Sequence, residues 1–157
     1  MGSIDENTPI PFPSLNAPIV LELEILAKKY FKNLALLRFG GLYGNTPYQK
    51  RHPITFLAGK KDLKTGHEYL HLVHVNDCAN AIIKIIEKDL FPIEINIISD
   101  LRILKKDYYI NLAMKCHLPL PIYTNEIILD ATQISNQKSI ALLGLKYHNP
   151  AEYSLDE

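Results

Sequence analysis

Cysteine is scarce in this sequence: Cys78 and Cys116 are the only two, with no second cysteine near either. That excludes a disulfide framework. Both thiols fall on mainly apolar faces of predicted helices, where a free thiol behaves as a small hydrophobe. An excess of either charge is also missing, since 17 Lys and Arg residues balance 17 Asp and Glu. A nucleic-acid partner needs a concentrated basic field and is not expected. No apolar run approaches the roughly 20 residues that span a bilayer, so a membrane partner is not expected either. Behind Met1-Gly2-Ser3 there is no basic segment followed by an apolar one, and Glu6 stands where a myristoylation signal wants Ser or Thr. The expected setting is the reducing cytoplasm.

Two further absences bear on chemistry. Neither GxGxxG opening a helix nor GxxxxGK[ST] occurs, so no turn of the kind that cradles a pyrophosphate is expected. Gly40-Gly41-x-x-Gly44 is dense in glycine, but no helix opens behind it. His67, His71 and His74 are close in sequence, yet Glu68–Val73 reads as a strand. His71 and His74 then point to opposite faces, and no HExxH completes a zinc site. No metal ligand set is expected, and linear order supports no catalytic triad.

What is present is a chain of 157 residues, 47% hydrophobic and 22% charged, enough for one domain with a core. Pro9, Pro11, Pro13 and Pro18 make the first 18 residues an extended arm, because proline fixes φ and removes a donor. Leu23, Leu26, Ala27 and Tyr30 recur at helical spacing and predict a helix from Ile19 to about Phe31. Leu34–Arg38 is a short apolar run of the kind a buried parallel strand needs. The glycine-rich stretch from Phe39 to Pro53 reads as a loop, and Pro53–Ala58 as a short helix. A helix capped by Asn76 or Asp77 runs to Lys88 with Ala79, Ile82, Ile83 and Ile86 on one side, followed by a strand Ile93–Ile98 and a helix Leu104–Cys116. Ile127–Leu129 is a short extended piece, and Ser139–Leu143 a helical turn ended by Gly144. The order of elements predicts an α/β fold with a parallel or mixed sheet.

Three residues stand out as candidates for a site. Arg38 ends a buried strand beside a glycine-rich turn, and its guanidinium must find partners there. It either pairs with Asp77 or Asp100, clamping strand ends, or faces an anion. His74, at a strand-to-helix junction, either braces the loop or contacts a ligand. Asn96 is an amide among β-branched residues, suited to tying neighbouring loops together.

RFGGLYG, LVHVNDCANAI, INIISD and ISNQKSIALLGLKY, in that order, resemble the C-terminal half of extended short-chain dehydrogenase/reductases. The likeness is to the NAD-dependent epimerase/dehydratase group with atypical active sites, and it covers about residues 5 to 150. It implies an incomplete Rossmann-like sheet with a small substrate lobe: an arm at 1–18, an α/β domain at 19–150 and a loose tail at 151–157. It also implies cofactor contacts at Gly40, Gly41, Leu42 and Tyr43, and substrate contacts at Arg38, His74 and Asn96. Asn76 replaces the first aspartate of the family's HVDD, and Asn136 and Lys138 match its NxK. The family's catalytic tyrosine and lysine would fall at Asn16 and Val20, neither of which can do that chemistry, so no catalytic residue is assigned. NAD(P) is the cofactor the resemblance implies, but the isolated chain is not expected to bind it. The resulting expectation is a truncated or split epimerase/dehydratase-like protein acting, if at all, on a nucleotide sugar. Its partner would be the missing N-terminal half or, as a homo-oligomer, a second copy. The alternative is a non-catalytic scaffold derived from that fold.

Overall fold

The computed structural model describes residues 3–9, 17–46, 49–124 and 132–155. The chain begins with β1 (Ser3–Ile4), α1 (Ala17–Tyr30) and β2 (Ala35–Phe39), then β3 (Gly41–Thr46), β4 (Gln49–Arg51) and α2 (Ile54–Leu57). It continues with β5 (Leu72–His74), α3 (Val75–Glu87), β6 (Ile93–Ile97), α4 (Lys105–Lys115), β7 (Gln133–Ile134) and α5 (Gln137–Leu143). The fold is α/β with small parallel and mixed sheets, a reduced Rossmann-like architecture. β2 and β6 pair in parallel, β3 lies between antiparallel β4 and parallel β5, and β1 pairs in parallel with β7.

The β2–β6 pair has two unlike faces because strand side chains alternate. Ala35 and Leu37 join Ile93, Ile95 and Ile97 in a core that α3 and α5 complete through Cys78, Ala81, Ile85 and Leu143. The other face carries Leu36, Arg38, Glu94 and Asn96, and α1 is tied to it by charge. Leu21, Glu24 and Ala27 are half-buried, whereas the predicted stripe residues Leu23, Leu26 and Tyr30 are exposed. A second core, under β3 and β5, gathers Tyr43, Ile54, Leu70, Leu72, Tyr108, Tyr109, Leu112 and Tyr153.

α3 needs no loop before it. His74 ends β5 and caps the helix, its Nδ1 accepting from Asn76 N at 3.2 Å. The cap was expected at Asn76 or Asp77. At the far end of α5, Gly144 takes a left-handed φ of 60°, the glycine stop read from sequence. Lys84 of α3 and Lys88, which caps its end, donate to the carbonyls of Leu143 and Leu142 at 2.8 and 2.7 Å, satisfying groups that a helix end leaves open.

Several sequence expectations are corrected. The segment read as a loop from Phe39 to Pro53 contains β3 and β4, because Gly41, Leu42 and Tyr43 pair with Leu72, Val73 and His74. Tertiary pairing overrides the weak strand propensity of glycine. β5 is shorter and later than Glu68–Val73; Tyr69 forms only an isolated bridge with Leu104. The arm is not wholly separate, since Ser3 and Ile4 form β1. The stretch after Pro150 is not loose throughout: Pro150–Glu152 form a 3-10 turn and Tyr153 is buried. Residues 10–16, including Asn16, and the expected piece Ile127–Leu129 lie outside the described residues. Val20 is exposed on α1.

Candidate functional site

The carboxyl ends of β2 and β6 meet the start of the β3–β5 pair at two adjacent glycines, Gly40 and Gly41. Gly40 N donates to Ile97 O at 3.1 Å, still following β6, while Gly41 N donates to His71 O at 2.8 Å and starts the pairing with β5. The chain therefore changes sheet partner within one peptide unit. Gly40 is required by packing: a Cβ there would sit 2.8 Å from His71 O and 2.9 Å from Ile98 Cγ2. Ser99 N donates to Leu72 O at 2.8 Å and closes the end of β6 onto β5. Phe39 and Leu42 flank the glycines and are each 41% exposed, whereas Tyr43 is buried with its hydroxyl donating to His148 O. Close by, Tyr69, His71, Ser99, Asp100, Gln133 and Asn136 border a cavity of about 20 Å³, room for about one water.

The three polar candidates all find protein partners. Arg38 pairs with neither Asp77 nor Asp100. Its Nε donates to Glu24 Oε1 at 2.9 Å, and its Nη2 reaches both Glu24 Oε2 and Glu94 Oε2. That hydrogen bonding holds the Glu24 carboxyl below its usual range and raises the guanidinium. Asn96 ties strands and loops together: its N–H donates to Glu6 Oε1 at 2.8 Å and its Nδ2 to Ser135 O at 3.2 Å. His74 stacks on His148 with ring centroids 4.3 Å apart and lies against Gly44, whose φ is 126°. With Nδ1 accepting from Asn76, the proton of the neutral ring is on Nε2. Burial first, and then the His148 charge, lower the His74 pKa.

Sequence reasoning missed two arrangements. Asp77, 2% exposed, accepts from His148 N at 2.9 Å and from His148 Nδ1 at 2.7 Å, pinning a loop 71 residues away. His52 is fully buried; its Nδ1 accepts from Ile54 N at 3.1 Å, so Nε2 donates to Tyr108 OH, which donates to Pro150 O at 2.9 Å. Tyr153 stacks on the same imidazole at 4.4 Å. The Asp77 pairing had a signal in the aspartate at a helix start, but its partner did not. His52 sat in a run of polar residues with no signal.

The residues described do not fit the pyrophosphate of a dinucleotide. That group needs a strand, a glycine-rich turn and a helix N-terminus in succession. Here the glycines after β2 lead into β3, and the β5–α3 junction carries no glycine and has its first free amide occupied by His74. Among the described residues no group of three or more His, Cys, Asp and Glu could hold a metal, and no helix is long and apolar enough to cross a membrane.

No protein-family profile matches the chain, and no curated protein does. Solved structures do match. A UDP-glucuronic acid 4-epimerase from Bacillus cereus, in complex with NAD, aligns with a TM-score of 0.74 and 20% identity, over 99% of this chain and 54% of that one. A dTDP-glucose 4,6-dehydratase from Bacillus anthracis, also with NAD, gives 0.73, 20%, 99% and 54%. A functionally unknown conserved protein from Silicibacter pomeroyi gives 0.72, 20%, 98% and 58%. The chain thus spans a little over half the length of these structures. Because 98 to 99% of the chain lies inside the matched fold, the expectation of a truncated or split C-terminal half is withdrawn. The partner expected with it, a homo-oligomeric copy or a missing N-terminal half, is withdrawn too. What the comparisons establish is the fold: that of the epimerase and dehydratase structures, over nearly every residue of this chain.

Proposed function

We propose that the chain binds a nucleotide-sugar ligand at the carboxyl ends of β2 and β6, in the manner of an epimerase/dehydratase-type protein. One observation carries this reading: the exchange of sheet partners at Gly40 and Gly41, bordered by exposed Phe39 and Leu42. Ligands of open α/β sheets gather where the strand connections diverge at the carboxyl edge. Structures sharing this fold are complexes with UDP-glucuronic acid and NAD.

In this reading Gly40, Gly41 and Leu42 present backbone and apolar surface to the ligand, and buried Tyr43 holds the turn from beneath. Arg38, His74 and Asn96 support these groups from behind, since their side chains are engaged by protein. NAD(P) contact is confined to the same segment and is weak. No proton-transfer step is assigned. The two free cysteines favour a reducing, cytoplasmic setting.

The test is amide NMR of the intact chain titrated with UDP-glucuronic acid and, separately, with NAD. Shifts centred on the amides of Phe39, Gly40, Gly41 and Leu42 are expected with the nucleotide sugar, and NAD should bind more weakly than about 10 μM. Saturable shifts confined to another surface, or none at millimolar ligand, overturn the reading.

A further inference from the structure

At the opposite end of β2 lies an open cleft of about 530 Å³. It is formed by the last turn of α1 and the residues just after it, the starts of β2 and β6, the first turn of α5, and Asn7. Leu36, the lining residue of β2 nearest the carboxyl edge, is three residues from Phe39, about 10 Å at about 3.3 Å per residue. It therefore stands apart from the nucleotide-sugar site proposed above.

Its floor is apolar, made by Leu34, Leu36, Pro92 and Ile93, with Phe31 at one side. Its rim carries Lys28, Lys32 and Lys138 against a single carboxylate, Glu94. That carboxylate is already engaged, by Lys28 at 2.7 Å and by Arg38 at 3.2 Å. Among the described residues Lys138 has only a neutral partner, donating to the Glu94 carbonyl at 2.7 Å. Lys32 has no ion pair among the described residues. Two ammonium groups, one on α5 and one just after α1, therefore face the cleft without a compensating anion among the described residues.

An apolar floor under an uncompensated cationic rim selects one ligand chemistry. The body must be apolar to cover the floor, and the head must be anionic to meet the lysines. We infer that this cleft binds a small amphipathic anion: a ring or short acyl chain bearing a phosphate or carboxylate. Its volume lies within the range of about 300–1,000 Å³ typical of small-molecule sites. Lys138 belongs to the NxK stretch singled out in the sequence, and the nucleotide-sugar reading gives it no role. Because the rim is solvated, the affinity is modest and falls with salt.

Calorimetry and amide NMR on the intact chain, with four probes, test the inference. 1-Naphthyl phosphate and 1-naphthoate present both features, 1-naphthol lacks the charge, and inorganic phosphate lacks the ring. The naphthyl phosphate or naphthoate should bind at least about tenfold more tightly than 1-naphthol or phosphate. Their shifts should fall at Leu34, Leu36, Ile93 and Lys138, and the stronger of the two identifies the head group. Lys32→Glu, at an exposed side chain with no ion pair, should weaken binding about tenfold without changing melting. Lys138→Glu should also weaken binding, with some loss of melting because its bond to the Glu94 carbonyl is broken, and the shifts that UDP-glucuronic acid produces at Phe39–Leu42 should be unaffected by either substitution. Equal binding of naphthol and naphthyl phosphate, or no loss in Lys32→Glu, would overturn the inference.

Discussion

Arg38 and Glu24 form a two-pronged ion pair between the end of β2 and the middle of α1, with Glu24 only 13% and Arg38 25% exposed. It fastens a helix whose larger apolar side chains mostly face solvent. Arg38→Met keeps the length of the side chain but leaves Glu24 and Glu94 without their shared cation. A loss of about 2 kcal/mol is expected, less than for a dry pair because part of the guanidinium is solvated. Denaturant unfolding measures it; a change below about 0.5 kcal/mol would show that α1 is held by something else.

The same pair sets an acid limit. Arg38 holds the folded Glu24 carboxyl below its unfolded value. Its stabilisation is therefore full above the ordinary carboxylate range and is lost as pH falls through the lower folded value. Glu24→Gln should be less stable than the parent at pH 6, and the difference should shrink towards pH 3 as the parent's carboxyl protonates.

His52 governs a milder window. Burial lowers its pKa to about 4, from 6.5. Both states are neutral above pH 6.5; below it the unfolded imidazole takes a proton that the folded one refuses. Stability should therefore fall between about pH 6.5 and 4, by up to roughly 3 kcal/mol from this residue. His71, also lowered by burial, adds to the same slope. In His52→Gln the slope of unfolding free energy against pH should flatten over that interval; an unchanged slope would remove His52 as its origin.

Gly40→Ala places a methyl group against His71 O and Ile98 Cγ2 where the chain changes sheets. The expected cost is about 1–3 kcal/mol, read as a lower melting temperature. At Gly144 a Cβ meets nothing within 4 Å, and only the φ of 60° resists substitution. There Ala should cost about 1 kcal/mol. A Gly40→Ala variant as stable as the parent would show that the crossover tolerates displacement.

Tyr153→Ala should destabilise by about 3 kcal/mol, because the ring is 7% exposed and stacked on His52. Chemical denaturation followed by tyrosine fluorescence measures this. A negligible change would return the segment after Pro150 to the loose state read from sequence.

The readable parts of the fold were those whose signal is local. Ile93, Ile95 and Ile97 alternate along β6. α3 was legible as a helix, although the side read as apolar, Ala79, Ile82, Ile83 and Ile86, is exposed and Cys78, Ala81 and Ile85 face the core instead. β3 was unreadable because its strand character comes from Leu72, Val73 and His74, well downstream of glycines that locally say turn. α1 was found, but its inward face was not: apolar spacing pointed to Leu23, Leu26 and Tyr30, whereas an ion pair turns Glu24 towards the sheet. The glycine-rich turn marked its place in the sequence. The partners of Arg38, His74 and Asn96 did not, since Glu24, His148 and Ser135 are brought to them only by the folded topology.

Ser3 and Ile4 pair in parallel with Gln133 and Ile134, so β1 has no sheet partner until most of the chain has been made. A ribosome releasing the chain from its N-terminus leaves these residues waiting while β2, β3, β5 and β6 assemble. Closing so long a loop costs entropy that its two-residue ladder returns only in small part. The β1–β7 pairing is accordingly among the last contacts to form and the first to open. Hydrogen exchange at Ser135, whose N–H donates to Ile4 O, should outpace exchange at the β2–β6 amides.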